Sequence, residues 1–318
     1  MLPPFNVKGV FTVSVLLALT SFARMVESPL PDNLPGGLSS LCRIAGNEYY
    51  SVSDRGELVG LKIEIDPGSG SLKKCEMTSR VKVKTRISDL EAVCRSPDGR
   101  LFVTDDCGKS AYEITPSGKV VKELNGLKAE FSSAKYNLGA EAMEFGSFGV
   151  KGCLWTVTEL PRTGEGRYLK LFKYSLEEDR IVASYDYDYD YAVVDFLNDP
   201  KDGSLLVLER DIGVKPKLAF WSGLNYITIK IFRVKLKNDG TIQKTELFKA
   251  NTGSVNYEGM EWAEPSADGR RRVILISDKA VTNRPVRIEW PGRIAVVDIE
   301  SSRPEVNEFS ESKPSVCY

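Results

Sequence analysis

Acidic residues return along this chain inside one short cassette. Glu91 in Leu90-Glu91-Ala92-Val93, Glu141 in Ala140-Glu141-Ala142-Met143 and Glu258 in Tyr257-Glu258-Gly259-Met260 lead three copies, and Asp195 in Val193-Val194-Asp195-Phe196 leads a fourth. After a turn such as Asp98-Gly99, Asp202-Gly203 or Asp268-Gly269, each copy runs into an apolar stretch ending on a second acid: Asp105, Glu159, Glu209 or Asp278. A fifth copy, from Leu38 to Asp54, carries serine where the leading acid would stand. Carboxylates gathered within a few ångströms raise one another's pKa unless a cation neutralises them. A calcium-type divalent ion, which takes about six to eight oxygen ligands in flexible geometry, suits such a set. The same acids could equally cap strand ends by accepting backbone N–H bonds. Asp54-Arg55 and Glu209-Arg210 each set a guanidinium beside a carboxylate, fit either for gripping phosphate or carboxylate or for an ordinary salt bridge.

The chain contains no histidine. That removes Ser-His-Asp and Cys-His relays, His-ligated zinc and any imidazole base. Chemistry must then run on carboxylates, Lys, Arg, Tyr and an oxygen-bound cation. A formal net charge of −1 gives no footprint for nucleic acid or an anionic membrane as partner. The triplet Arg270-Arg271-Arg272 follows a turn signal and reads as a solvated turn.

The cassette must be carried by strands. Val, Ile, Tyr and Thr cluster in short runs bounded by Gly, Pro, Asn and Asp, and no clean helical stripe appears beyond the N-terminus. The first runs of successive copies lie roughly fifty to sixty-five residues apart, the length of a four-stranded propeller blade with long loops. Two further β-type runs follow each copy, as at 110–114 and 120–124 or 168–174 and 181–187. The expected fold is all-β, a single β-propeller of five or six four-stranded blades, a sixth being hidden in the long fourth repeat or completed from both termini. The first strand of each blade would line the central channel and bring the leading acids to one rim. Ser184-Tyr185-Asp186-Tyr187-Asp188-Tyr189-Asp190-Tyr191 alternates as a solvent-facing outer strand does, without the glycine of a calcium loop. Trp221, Tyr226 and Lys215-Pro216-Lys217 belong to a long insertion in the fourth repeat, of the kind that covers a propeller mouth.

Residues 1–23 read as a signal peptide, with Lys8, an apolar stretch from Val10 to Leu19 and small residues before a cut after Ala23. Residues 24–37 read as an N-terminal extension and 38–318 as the propeller domain. The expectation is a secreted protein, or a periplasmic one in a bacterium, with no membrane span. Six cysteines without a CxxC pair allow up to three disulfides in that compartment, or buried thiols in a large core.

Tyr50-Ser51-Val52-Ser53-Asp54-Arg55-Gly56, Leu90-Glu91-Ala92-Val93, Asn137-Leu138-Gly139-Ala140-Glu141 and Asn256-Tyr257-Glu258-Gly259-Met260 together resemble the phytase-like propeller domain family, "esterase-like activity of phytase". The likeness runs from about Leu38 to Ile299. It implies a metal-binding propeller acting on a small phosphoester or other ester, with Asp54, Arg55, Glu91, Glu141 and Glu258 as its site residues; in a hydrolase without histidine, Glu91, Glu141 and either Arg55 or Arg210 would be catalytic, and Glu91, Glu141, Glu258 and Asp54 would hold a divalent metal, Ca2+ by ligand type. The chain departs from the family pattern in carrying Ala92 and Ala142 where glycine is usual, which puts the backbone of those two turns in question. The alternatives are a non-catalytic propeller that binds an extracellular ligand or protein, and a lactonase or nucleotidase sharing the acidic channel.

Overall fold

The computed structural model describes residues 23–84, 89–132, 139–146, 153–160, 168–213, 226–282 and 288–299. Residues 1–22, the insertion at 214–225 and Cys317 lie outside them, and so do Asn137 and Leu138. Five four-stranded antiparallel sheets make a five-bladed propeller. Blade one holds β2 (Leu38–Ala45), β3 (Glu48–Ser53), β4 (Glu57–Ile65) and β5 (Leu72–Lys82). Blade two holds β6 (Leu90–Arg95), β7 (Leu101–Asp105), β8 (Ser110–Ile114) and β9 (Val120–Glu123). Blade three holds β10 (Ala140–Gly146), β11 (Cys153–Thr158), β12 (Leu169–Ser175) and β13 (Arg180–Tyr187). Blade four holds β14 (Ala192–Asn198), β15 (Leu205–Gly213), β16 (Tyr226–Leu236) and β17 (Ile242–Gly253).

Blade five draws on both ends of the chain. β18 (Asn256–Trp262), β19 (Arg271–Asp278) and β22 (Arg293–Ile299) are completed by β1 (Met25–Pro29), whose Met25 to Pro29 pair with Val297 to Arg293. A short hairpin, β20 (Val281–Thr282) with β21 (Ile288–Glu289), interrupts the path from β19 to β22. The expected extension at 24–37 is therefore in part a structural strand. Its local pattern gives no sign of this, because its partner lies more than 260 residues away.

The innermost strands β2, β6, β10, β14 and β18 touch in turn and close the ring. Second strands are buried on both faces between neighbouring blades, as in β7, where every residue is buried. That explains their continuous apolar runs. Between blades four and five, Leu206, Leu208, Ile229 and Ile231 meet Met260, Val273, Leu275 and Val297. Each such buried side chain contributes about 1.5–3 kcal/mol before entropy is counted. Outer strands face water on one side, and β13 ends in Tyr185 and Tyr187 turned inward with Asp186 and Asp188 exposed, as the alternation predicts.

Three expectations change. A seven-residue helix, α1 (Asn125–Phe131), follows β9 and buries Leu127 and Phe131 against Phe172 and Tyr174 of blade three. Cys42, Cys75, Cys94 and Cys153 are free thiols, and no disulfide joins the described cysteines. Of the arginine triplet only Arg270 stays in the exposed turn. Arg272 is 1% exposed and holds Asp298 at 2.7 Å, while Arg271 grips both oxygens of Asp199 and lies 3.9 Å from the Trp262 ring. Strand β19 starts at Arg271, so alternate side chains there turn into the two inter-blade seams.

Candidate active site at the channel mouth

The ladder between the first and second strands is bulged in every blade. A bulge leaves a residue unpaired and re-aims its side chain. In blades three, four and five the skipped residues are Glu141, Val194 and Glu258; in blade two the break covers Glu91 and Ala92. Aligning blades by register gives one ring of Ser39, Glu91, Glu141, Val194 and Glu258. A second ring, at the mouth end of the second strands or one residue past it, is Asp54, Asp106, Glu159, Arg210 and Asp278. This differs from the cassette reading in blades two and four. Asp106, not Asp105, holds the mouth position, and Arg210, not Glu209, does so in blade four. Asp195 sits one residue deeper than the leading acids. It is buried and accepts hydrogen bonds from Met260 N at 2.7 Å, Phe196 N at 2.9 Å and Ser40 Oγ at 3.3 Å. Glu209 is likewise structural, receiving Tyr187 Oη, Lys244 Nζ and two backbone N–H groups.

Arg210 is the hub of the mouth. Its guanidinium reaches Glu159 at 2.9 Å and Asn256 Oδ1 at 2.9 Å, and it is bonded to Glu258 as well. Asn256 Nδ2 and Ser39 Oγ also donate to Glu258, at 2.7 and 3.2 Å. Burial penalises the charged form of Arg210, but Glu258, Glu159 and Glu141 outweigh it and hold the guanidinium firmly protonated. Arg55 stands differently, exposed on the rim with its Nε 3.9 Å from Asp54.

Burial and mutual repulsion raise the pKa of several carboxyl groups around that hub. Burial, reinforced by Glu258 and Asp89, pushes Glu91 well up; burial, with Glu91 and Glu159, does the same to Glu141. Glu159 is raised by burial against the pull of Arg210, and it shares a hydrogen bond with Glu141. Asp278 is pushed up to about 7 by burial, Glu258 and Asp54, and Asp106 to about 6 by burial, with Asp89, Glu159 and Asp105 adding to it. Asp54 is raised by burial, with Arg55 opposing. The mouth thus brings together Glu91, Glu141, Glu258, Asp54 and Arg210, and it adds Asp106 and Asp278.

Two glycines make the crowding sterically feasible. Gly37, at φ +71°, donates its N–H to Asp278 Oδ1 at 2.9 Å, and a Cβ there would fall 1.9 Å from Asp54 Oδ1. Gly139 donates to Asp106, and a Cβ there would fall 2.3 Å from that carboxylate. The sequence signal for Asp106 was Gly139 in the third motif, legible only once the two are known to touch. Ala92 and Ala142 keep negative φ, so alanine costs those turns nothing. The Ala92 N–H instead donates to Thr104 Oγ1 at 2.8 Å.

All these donors are hard oxygens, the chemistry calcium takes. Among the described residues, however, no three acids or thiols are grouped as a metal site. Arg210 supplies a buried positive charge to Glu159 and Glu258 in this arrangement.

Mouth acids with raised pKa values run against the usual pH dependence of carboxylate stability. A carboxyl whose folded pKa is raised contributes stability that is fully present below its unfolded pKa and is lost as pH rises through the folded value. For Asp106 and Asp278 that window runs from about pH 4 to about 6 and 7. Asp66 and Asp268, held low by hydrogen bonds from Ser69 and from Arg270 and Ser266, act only in more acid solution. The melting temperature should therefore rise from pH 8 to about pH 5, as followed by calorimetry in matched ionic strength. A flat or falling profile over that range would show the mouth acids to be ionised throughout.

Deeper in the wall, Cys42 and Cys94 occupy equivalent places on β2 and β6. Burial pushes both thiols well up, and Glu144 adds to it in each case.

Among the described residues no helix is long and apolar enough to cross a membrane. The family model described as "Phytase-like: Esterase-like activity of phytase" matches residues 34–279. No curated protein matches the chain. Among solved structures, a chain of the mitotic checkpoint complex is 11% identical with a TM-score of 0.40, covering 83% of this chain, which spans 62% of that one. Virginiamycin B lyase from Staphylococcus aureus is 11% identical, TM-score 0.42, covering 87% of this chain and 99% of its own. A luciferin-regenerating enzyme is 14% identical, TM-score 0.41, covering 84% and 80%.

Proposed function

For a chain that belongs to the phytase-like family, we propose an ester hydrolase, acting on phosphate esters among others, with its chemistry at the acidic channel mouth. The observation that carries this reading is the hydrogen-bonded pair Glu141 and Glu159 beside the buried charge of Arg210. Two carboxyls sharing one proton can do acid and base work without histidine. The anionic member takes a proton from water as its oxygen bonds to the ester carbon or phosphorus. The protonated member then passes its proton to the departing alcohol oxygen as that bond breaks, and the pair again holds one proton. Arg210 keeps one member anionic. Glu91 crowds the pair and favours proton retention. Arg55, exposed on the rim, is the guanidinium free to meet charge developing on the substrate.

Calcium belongs to this proposal as a competitor of the mouth protons. Glu91, Glu141, Glu258 and Asp54 would hold it, and it would supply positive charge to an anionic phosphoryl oxygen. Secretion, with an extracellular small-molecule substrate, is part of the same reading.

The test is turnover of p-nitrophenyl phosphate, p-nitrophenyl acetate and a simple lactone, with calcium or with chelator. Glu141→Gln should lower the rate about 100-fold or more while the melting transition persists. Adding calcium to chelated protein in weak buffer should release protons. Absence of turnover in every condition would leave the non-catalytic binding propeller as the better reading.

A further inference from the structure

A cavity of about 300 Å3 opens beside the mouth, between blades three and four, and two of its wall residues are Glu159 and Arg210. We propose that it seats an aromatic group bearing a cationic amine, as one side of the ester substrate; this rests on the hydrolase reading above.

The walls combine two features. Tyr189, Tyr191 and Ile212 give an apolar lining. Ile212 is 38% exposed, and among the described residues only Val121 is another large apolar side chain left this open to water.

The charge on the walls is uneven. Glu159 is paired with Arg210, and Asp190 is held by Lys230 and Lys244. Asp211, on the same wall, makes no ion pair among the described residues. The cavity therefore presents one carboxylate without an ion-pair partner beside the Tyr189 ring, Tyr191 already facing Lys230 Nζ at 5.2 Å, which is the complement of an ammonium group on a flat apolar body.

The platform is also fixed before any ligand arrives. Glu209, buried, accepts the backbone N–H groups of Asp190 and Tyr191 at 2.9 and 3.0 Å and the Tyr187 hydroxyl at 2.6 Å. Tyr189 packs on the seam between blades three and four. The Tyr-Asp alternation thus has a use beyond its outer strand: the strand ends at Tyr187, and the remaining residues turn the two tyrosines toward the mouth. A rigid shelf lowers the ordering cost of binding.

Calorimetry on the full chain with benzylamine, benzyl alcohol and phenylacetate tests this. Benzylamine should bind, benzyl alcohol more weakly, and phenylacetate not at all. Asp211→Asn should weaken benzylamine roughly tenfold, and Ile212→Ser should weaken both benzylamine and the alcohol. Both positions are at least partly exposed, so the variants should fold as the parent does. Phenylacetate binding as well as benzylamine, no heat with benzylamine, or an unchanged affinity in Asp211→Asn would each overturn the proposal. Binding of benzylamine without any ester turnover would sink the hydrolase reading and leave the amine site standing; turnover without benzylamine binding would do the reverse.

Discussion

Replacing Arg210 with methionine should destabilise the protein by about 3–5 kcal/mol at neutral pH, the usual consequence of removing one partner of a buried ionic network. Glu159 and Glu258 would lose their shared guanidinium, and Glu141 its nearest positive charge. Methionine fills much of the same volume, so the loss would report charge and hydrogen bonding more than a cavity. The effect should shrink in acid. Below about pH 5 the orphaned carboxyls can be protonated, and the gap between variant and parent in urea midpoint should narrow by half or more. Arg210→Lys should fall between the two, because an ammonium keeps the charge but cannot reach Glu159, Glu258 and Asn256 from one planar fork. A methionine variant within about 0.5 kcal/mol of the parent at pH 7.5 would mean that Arg210 is not the hub.

Removing residues 1–29 should be more damaging still. The deletion takes β1 out of blade five and leaves β22 as an open edge. It also removes Glu27, which accepts the Tyr257 hydroxyl at 2.7 Å, and the carbonyl of Arg24 that receives Asp298 N at 2.9 Å. Five paired residues with net hydrogen-bond contributions of about 0.5–1.5 kcal/mol each, plus apolar burial, set the loss at several kcal/mol. An unpaired edge also invites aggregation. The truncated protein should therefore be insoluble or unfold at much lower urea. A synthetic peptide of residues 23–31 added during refolding should restore the parent's transition. An unchanged midpoint without the peptide would show that the ring does not depend on its first strand.

These two expectations mark what could and could not be read from residue order. The ring was legible because each blade repeats its own apolar runs and turns locally, as Leu101 to Val103 and Val273 to Ile276 do. Glu91, Glu141 and Glu258 were legible as a convergent set for the same reason. The blade-four copy was not, because Val193-Val194-Asp195 offers an acid one residue late, and only the bulge opposite Leu208 and Glu209 fixes the phase. The same single-residue ambiguity favoured Asp105 over Asp106 and Glu209 over Arg210. A shift of one residue exchanges the two faces of a strand, and nothing in a lone strand records its partner's register. The closing strand was hidden for a related reason: Met25 to Pro29 carry no local mark of the edge they complete. Arg271 and Arg272 carry no local mark of burial because a charged run after a turn is usually wet, whereas here the strand begins at Arg271 and carries both into inter-blade seams.

The two thiols in the channel wall have a practical consequence. Cys42 and Cys94 are almost completely shielded, at 5% and 1% exposure, and burial holds both in the unreactive protonated form. An alkylating reagent can reach them only when neighbouring blades part. Their labelling rate is thus a native stopwatch for breathing of the innermost ring, recorded on the protein's own residues without an engineered site.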